Sequence, residues 1–185
     1  MAELERTKFD DSILERASLV GVVAKGASFN KVVLRRADLR GARFEDCDFS
    51  KADLSGANLE GAFLINSSLD DANLESANLK DVKMEKVHGQ GMKLSGAKLG
   101  GMGMADMAEG LKGADFGGEG ISGSEQDIGE WARSGSLKGA SLGAVDWSGR
   151  ELQGAQLQGA DMRGANLSGA KLIDADLTGA LLSEV

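Results

Sequence analysis

His88 and Cys47 are the side chains of this sequence best suited to metal binding or nucleophilic chemistry, and each stands alone. A zinc site needs three or four Cys, His or carboxylate ligands at characteristic spacing. No second histidine exists, and no cysteine lies near His88. His88 therefore reads as a surface histidine. Cys47 has no partner for an internal disulfide, and it occupies a slot that holds alanine elsewhere in the chain, so it reads as a small buried hydrophobe. No nucleophile is paired with a base. Gly-x-Gly matches recur only because glycine returns every few residues. The expectation is a protein that is not an enzyme, with no metal and no cofactor.

What remains is charge. The chain carries 29 acidic against 21 basic residues, a net charge of −8. That balance argues against direct nucleic-acid binding, which needs a basic patch to neutralise phosphates. If positions twenty apart stack, one face collects Asp10, Asp11, Asp48, Asp70 and Asp71 as a candidate acidic surface. The next face collects Arg16, Arg35 and Arg36, with Arg40 around the corner. Such runs also read simply as solvated faces.

The elements that position these residues follow from a period of five. Leu34, Leu39, Phe44, Phe49, Leu54, Leu59 and Leu64 mark every fifth position, and two residues before each stands a small residue such as Ala37, Ala52 or Ala57. Asp or Asn precedes many of the large residues, as at Asp38, Asp53, Asn58 and Asn73. Five-residue steps fit neither a helical stripe nor strand alternation. Each unit reads as a short extended piece followed by a turn, with the large and small residues both inward. Glycine at Gly41, Gly56, Gly61, Gly154 or Gly159 supplies the positive φ such a turn requires. The chain has no proline, as a coil-to-coil hydrogen-bond ladder demands. A fixed short period of this kind means a solenoid.

The segments Ala37–Gly41, Ala52–Gly56 and Ala165–Gly169 resemble the repeat unit of the pentapeptide-repeat family, and the resemblance extends from about Ala2 to Leu182. It implies an all-β fold, a right-handed quadrilateral β-helix of about nine coils, as a single domain over 1–185. Regular coils are expected over 2–106 and 137–182, with an irregular stretch over 107–136. The large inward residue keeps one frame from Leu4 to Met104, shifts two residues late at Leu111, Phe116 and Ile121, and shifts again from Leu137 onward. Gly89 sits in a large inward slot while Met92 and Met102 sit in small ones, which points to repacking by flexible methionines. Met107 is a candidate contact residue in the inserted stretch.

Residues 122–136 carry Ser-Gly-Ser at each end, with Ile128, Trp131 and Ala132 on one helical spacing between them. This helical or loop insertion either projects, offering Ile128, Trp131 and Arg133 to a partner, or folds back to cover a coil. At the far end Leu181 and Leu182 are apolar, so either an end-to-end homodimer or docking of a partner is expected there.

Two functions follow. The first is a non-catalytic protein–protein interaction scaffold, with partners docking on a face, on the insertion or on the C-terminal end. The second is implied by the family resemblance: imitation of duplex DNA and binding of type II topoisomerase, protecting gyrase from quinolones or toxins or inhibiting it. A rod of ~40 Å matches a duplex carrying roughly 24 charges, against which −8 is a poor copy. The opening residues lack an apolar run, and no stretch is long and apolar enough for a bilayer, so no membrane association and a cytoplasmic location are expected.

Overall fold

A computed structural model describes residues 3–99, 114–115, 132–133, 137–140, 142 and 145–183. Five three-residue strands, β1 (Glu3–Glu5), β2 (Val23–Lys25), β3 (Arg43–Glu45), β4 (Phe63–Ile65) and β5 (Lys83–Glu85), form one parallel sheet in sequence order. Each strand pairs with the residue twenty further on, as in Phe44 with Leu64. The other three sides keep the same step through single bridges: Lys8 with Ser28, Ile13 with Val33, Ser18 with Asp38. Twenty residues per coil at five per side make a four-sided β-solenoid.

One rule of bonding repeats throughout. A large inward residue donates its N–H to a carbonyl nineteen residues on, as Leu54 does to Asn73 at 2.7 Å. The residue before it donates backward by twenty-one, as Asp53 does to Val32 at 2.9 Å. The large residue's own carbonyl accepts from the residue three on, Leu54 from Ala57 at 3.0 Å, which closes a β-turn. Gly56 at φ +64° takes the third turn position, the geometry of a type II turn. The corner that follows each strand lacks this turn bond. There the Cys47 N–H donates to the Ser67 hydroxyl at 3.1 Å, and Ser67 donates on to the Ile65 carbonyl at 2.9 Å.

The sequence expectation that glycine fills the corners holds only in part. Among the described residues, thirteen corners of positive φ carry other residues, including Arg16, Lys31, Arg36 and Lys51. Those thirteen fall almost wholly before residue 100; beyond it, only Asp174 departs from glycine.

The large and small slots are filled as the period demands. Leu34, Phe44, Leu54 and Leu64 are buried together with Ala42, Ala52 and Ala62. Phe29 stacks on Phe9 at 5.0 Å and on Phe49 at 4.6 Å, while Phe44 meets Phe29 and Phe49 edge-on. Offset and edge-on rings at such distances add to the burial term. Gly89 is buried in its large slot and Met92 is buried in a small one. A long side chain thus enters the core three residues from a missing one.

The frame shift after Met104 appears in the bonding. Leu94 donates to Asp115 rather than to residue 113, and Lys93 bridges Asp115, so the chain returns two residues late. Ala114 is then buried in the small slot two residues before Phe116. The third frame is also in place. Asp146 bridges Asn166, Glu151 bridges Lys171, Gln156 bridges Asp176 and Asp161 bridges Leu181. Against an expected nine or so coils, the described residues comprise the five-strand stack and, separately along the chain, the bridged turns of 145–183.

Candidate functional site

With the interior filled, chemistry is confined to the outward positions, and the turn decides how these are held. The Asp or Asn before each large residue is not merely tolerated there. Its side-chain oxygen accepts the N–H two residues on: Asp48 from Ser50 at 2.8 Å, Asp53 from Ser55 at 3.1 Å, Asn58 from Glu60 at 3.1 Å, Asn73 from Glu75 at 3.0 Å. These Asx turns satisfy a backbone donor at the bend. Many of the carboxylates outside are therefore turn-builders first. Asp38 is held below the usual carboxylate range by the Arg40 guanidinium that hydrogen-bonds it. Asp161 is held down in the same way by Arg163.

The candidate acidic face comes together only with cations between its members. Asp10 and Asp70 share an outward column with Asn30, Ser50 and Gln90, and Asp48 bridges Ser28 and Ser68 in a neighbouring column. Asp11 and Asp71 share a corner column with Lys31 and Lys51, the two lysines lying between the two acids. Asp10 accepts hydrogen bonds from the Ser28 hydroxyl and from the Asn30 N–H, and Asp70 accepts the Gln90 N–H at 2.9 Å. The face is a polar ladder of mixed sign, with Lys8 bridged to Ser28 at its first row.

The adjacent side, that of Ile13, Val33, Asp53 and Asn73, holds the arginines. Arg35 donates to Asp53 at 2.6 Å. Burial pushes the Asp53 carboxyl upward, but hydrogen bonds from Ser55 and Arg35 outweigh it and leave the group below its ordinary value. Arg16 and Arg36 occupy successive corners of one column, at φ 58° and 54°, above Gly56. The stem of Arg36 lies over Gly56, its Cγ 3.4 Å from where a Cβ would stand. Around the next corner Arg40 pairs with Asp38 at 2.6 Å. On the strand side, Phe63 is flanked by Arg43 and Lys83, 5.8 and 5.6 Å from its ring centre.

Leu181 and Leu182 are exposed at 50 and 38%, and Ile173 at 58%, on the last described coil. Ala132 is buried, and its carbonyl accepts the Gln156 N–H. Elsewhere in this stack the acceptor lies twenty-one residues back, as Ala140 does for Asp161, so Ala132 fills that place three residues early. Arg133 beside it is exposed, its stem crossing Gly154. Ile128, Trp131 and Met107 lie outside the described residues, as do Met102, Leu111 and Ile121. Cys47 is buried, burial pushing its thiol up. Among the described residues no group of three or more His, Cys, Asp or Glu is placed to hold a metal ion, and no helix is long and apolar enough to cross a membrane.

Sequence reasoning did not find the corner cations as strained residues. Neither did it find Arg150, half-buried in a slot that Val145 and Ala155 fill on either side.

A protein-family model described as pentapeptide repeats matches the chain in eight copies, over residues 2–41, 17–56, 47–86 and 151–185. Among solved structures, the chain is similar to HetL, a pentapeptide repeat protein involved in heterocyst differentiation regulation from the cyanobacterium Nostoc sp. strain PCC 7120. The identity is 26%, over 96% of this chain and 86% of that one, with a TM-score of 0.45. A trypsin-treated form of QnrB1, a plasmid-mediated fluoroquinolone resistance protein, is similar at 19% identity, over 97 and 82% of the two chains, with a TM-score of 0.44. A pentapeptide repeat protein of the Arabidopsis thaliana thylakoid lumen is similar at 22% identity, over 61 and 79%, with a TM-score of 0.35. No curated protein matches the chain.

Proposed function

Because the chain belongs to the pentapeptide-repeat family, and because its outward side chains are what its described coils leave free, we propose that it is a non-catalytic scaffold that docks a protein partner. One observation carries this reading. The inward slots are packed with Leu, Phe, Ala and Met, while the outward residues stand in fixed rows held by Asx turns and cross-coil bonds. Rigid rows of polar side chains at ~4.8 Å spacing suit surface recognition, which costs little ordering entropy when the surface is preformed.

Three surfaces are candidates: the sides of residues 3–99, the insertion near 122–136, and the C-terminal coil with Leu181 and Leu182. Cross-linked capture by the intact chain, by a chain lacking 122–136 and by Leu181→Glu separates them. Loss of the partner in one variant assigns the surface, and capture of no protein by the intact chain would sink the scaffold. The alternative, mimicry of duplex DNA toward type II topoisomerase, rests on the family resemblance. The interleaving of Lys31 and Lys51 between Asp11 and Asp71 does not favour it, since a mimic needs unbroken columns of acid. A gyrase supercoiling assay with and without a quinolone tests it directly; absence of both inhibition and protection removes it.

A further inference from the structure

Resting on the scaffold reading, the geometry points to the partner's chemistry: we propose that the side bearing Ile13 and Val33 docks an acidic protein segment through a bulky apolar side chain. The second row of this side is Lys31, Val33, Arg35 and Arg36, three cations with no carboxylate. Among the described rows no other has that composition. Around it, Arg16 stands one coil before Arg36 and Lys51 one coil after Lys31. Arg35 is neutralised by Asp53, whereas Arg16, Lys31, Arg36 and Lys51 make no ion pair among the described residues.

Two observations bear on this frame. First, all four unpaired cations sit at positive φ, between 54 and 61°. A side chain in that region costs roughly 1–2 kcal/mol, and glycine takes the Arg16–Arg36 column at Gly56 and Gly96 and the Lys31–Lys51 column at Gly91. Four strained corners retain long cations where glycine serves one to three coils away in the same columns. Second, the centre of the frame is apolar. Ile13 is 76% exposed and bridges the half-buried Val33 directly. The three rows hold the five cations Arg16, Lys31, Arg35, Arg36 and Lys51 against Asp11, Glu15 and Asp53. A β-branched pair on such a net-positive side is complementary to an apolar anchor flanked by carboxylates, charge complementarity steering and registering the contact. The same side argues against nucleic acid. No aromatic ring stands among these rows for a base to stack on.

The test uses the full chain and a fluorescein-labelled synthetic peptide of leucine flanked by glutamates, read by fluorescence anisotropy at low salt. The critical variant is Arg16→Gly with Arg36→Gly, which removes two charges and places at both corners the residue the column already uses. It retains the fold, and the circular dichroism melt verifies this. Binding should weaken at least about tenfold in this variant, weaken in Ile13→Ser, fall with added salt, and persist in Arg36→Lys. Equal binding by the double glycine variant overturns the proposal. So does equal binding of a peptide with lysines in place of the glutamates. Equal displacement by a leucine-free polyglutamate or by a single-stranded oligonucleotide would reduce the face to a polyanion surface and also overturn it. If the peptide fails while the intact chain still captures a protein partner, only this face falls. If no protein is captured either, the scaffold falls with it.

Discussion

At the scale of the residue, the corners hold the least expected feature. Lys51 at φ 61° and Arg36 at φ 54° adopt a backbone region where a Cβ crowds the neighbouring carbonyl. Glycine removes that crowding but adds unfolded-state freedom, so Lys51→Gly should raise stability by about 0.5–1 kcal/mol, read as a higher urea midpoint. The opposite change at Gly91 should be damaging. At φ +71° any side chain there is strained, while the 2.5 Å approach of its Cβ to the Asp71 Oδ1 is relieved by turning that carboxylate, and a lowered midpoint for Gly91→Ala checks it.

The carboxylates add a pH dependence. Asp38 and Asp161 are held low by Arg40 and Arg163, and Asp176 by hydrogen bonds from Thr178 and Gln158. A group whose folded pKa lies below its unfolded value stabilises fully above the unfolded value and loses that contribution as pH falls through the folded one. The urea midpoint should therefore stay level down to about pH 5 and decline below about pH 4. A midpoint that rises on acidification contradicts these pairings.

At the scale of the element, each five-residue side is a turn held by an Asx bond and a core slot held by packing. Asn58 illustrates the first. It accepts the Glu60 N–H and an amide hydrogen of Asn78 at 3.0 Å, so Asn58→Ala should cost about 1 kcal/mol. Phe29 illustrates the second. It stacks between Phe9 and Phe49 and is fully buried, so Phe29→Ala should cost about 3–5 kcal/mol, measured by denaturant unfolding. Much of this was legible in the sequence. The alternation of large and small slots, the buried Cys47 and the two-residue slip that brings Asp115 to Lys93 all follow from the period, because packing leaves those positions no freedom. The Asp and Asn before each large residue were visible as a pattern, but their bond to the turn was not. Nor were the strained cations visible, since at a solvent-facing corner nothing in residue type announces the sign of φ. Arg150 escaped because a charged residue in an alanine slot contradicts the very periodicity used to find it.

At the scale of the molecule, each coil leans only on its neighbours, so stability is a sum of local terms. Burial grades accordingly. Leu4, Phe9, Leu14 and Leu19 are only partly covered on the first coil, as are Leu167, Leu172 and Leu177 on the last described one, while Leu34 to Leu99 are sealed. Amide exchange should be fastest in these outer coils and slowest around Leu54. An end-to-end dimer through Leu181 and Leu182 would show in sedimentation at several concentrations as self-association of the intact chain and a monomer for Leu181→Glu; a monomer in both removes self-association and leaves docking of a partner at that end.

The twenty-residue register also governs which changes of length the surface can survive. Loss or gain of one whole coil would leave every later side chain on its original side, merely translated by ~4.8 Å. Loss of a single pentapeptide between Asp53 and Asn73 would keep the core slots in phase yet turn everything downstream by a quarter, carrying Asn73 and Lys93 off the side they share with Val33. For a protein that acts by its outward rows, the two deletions are equivalent inside and opposite outside. Five residues is the grammar of folding here, and twenty is the grammar of recognition.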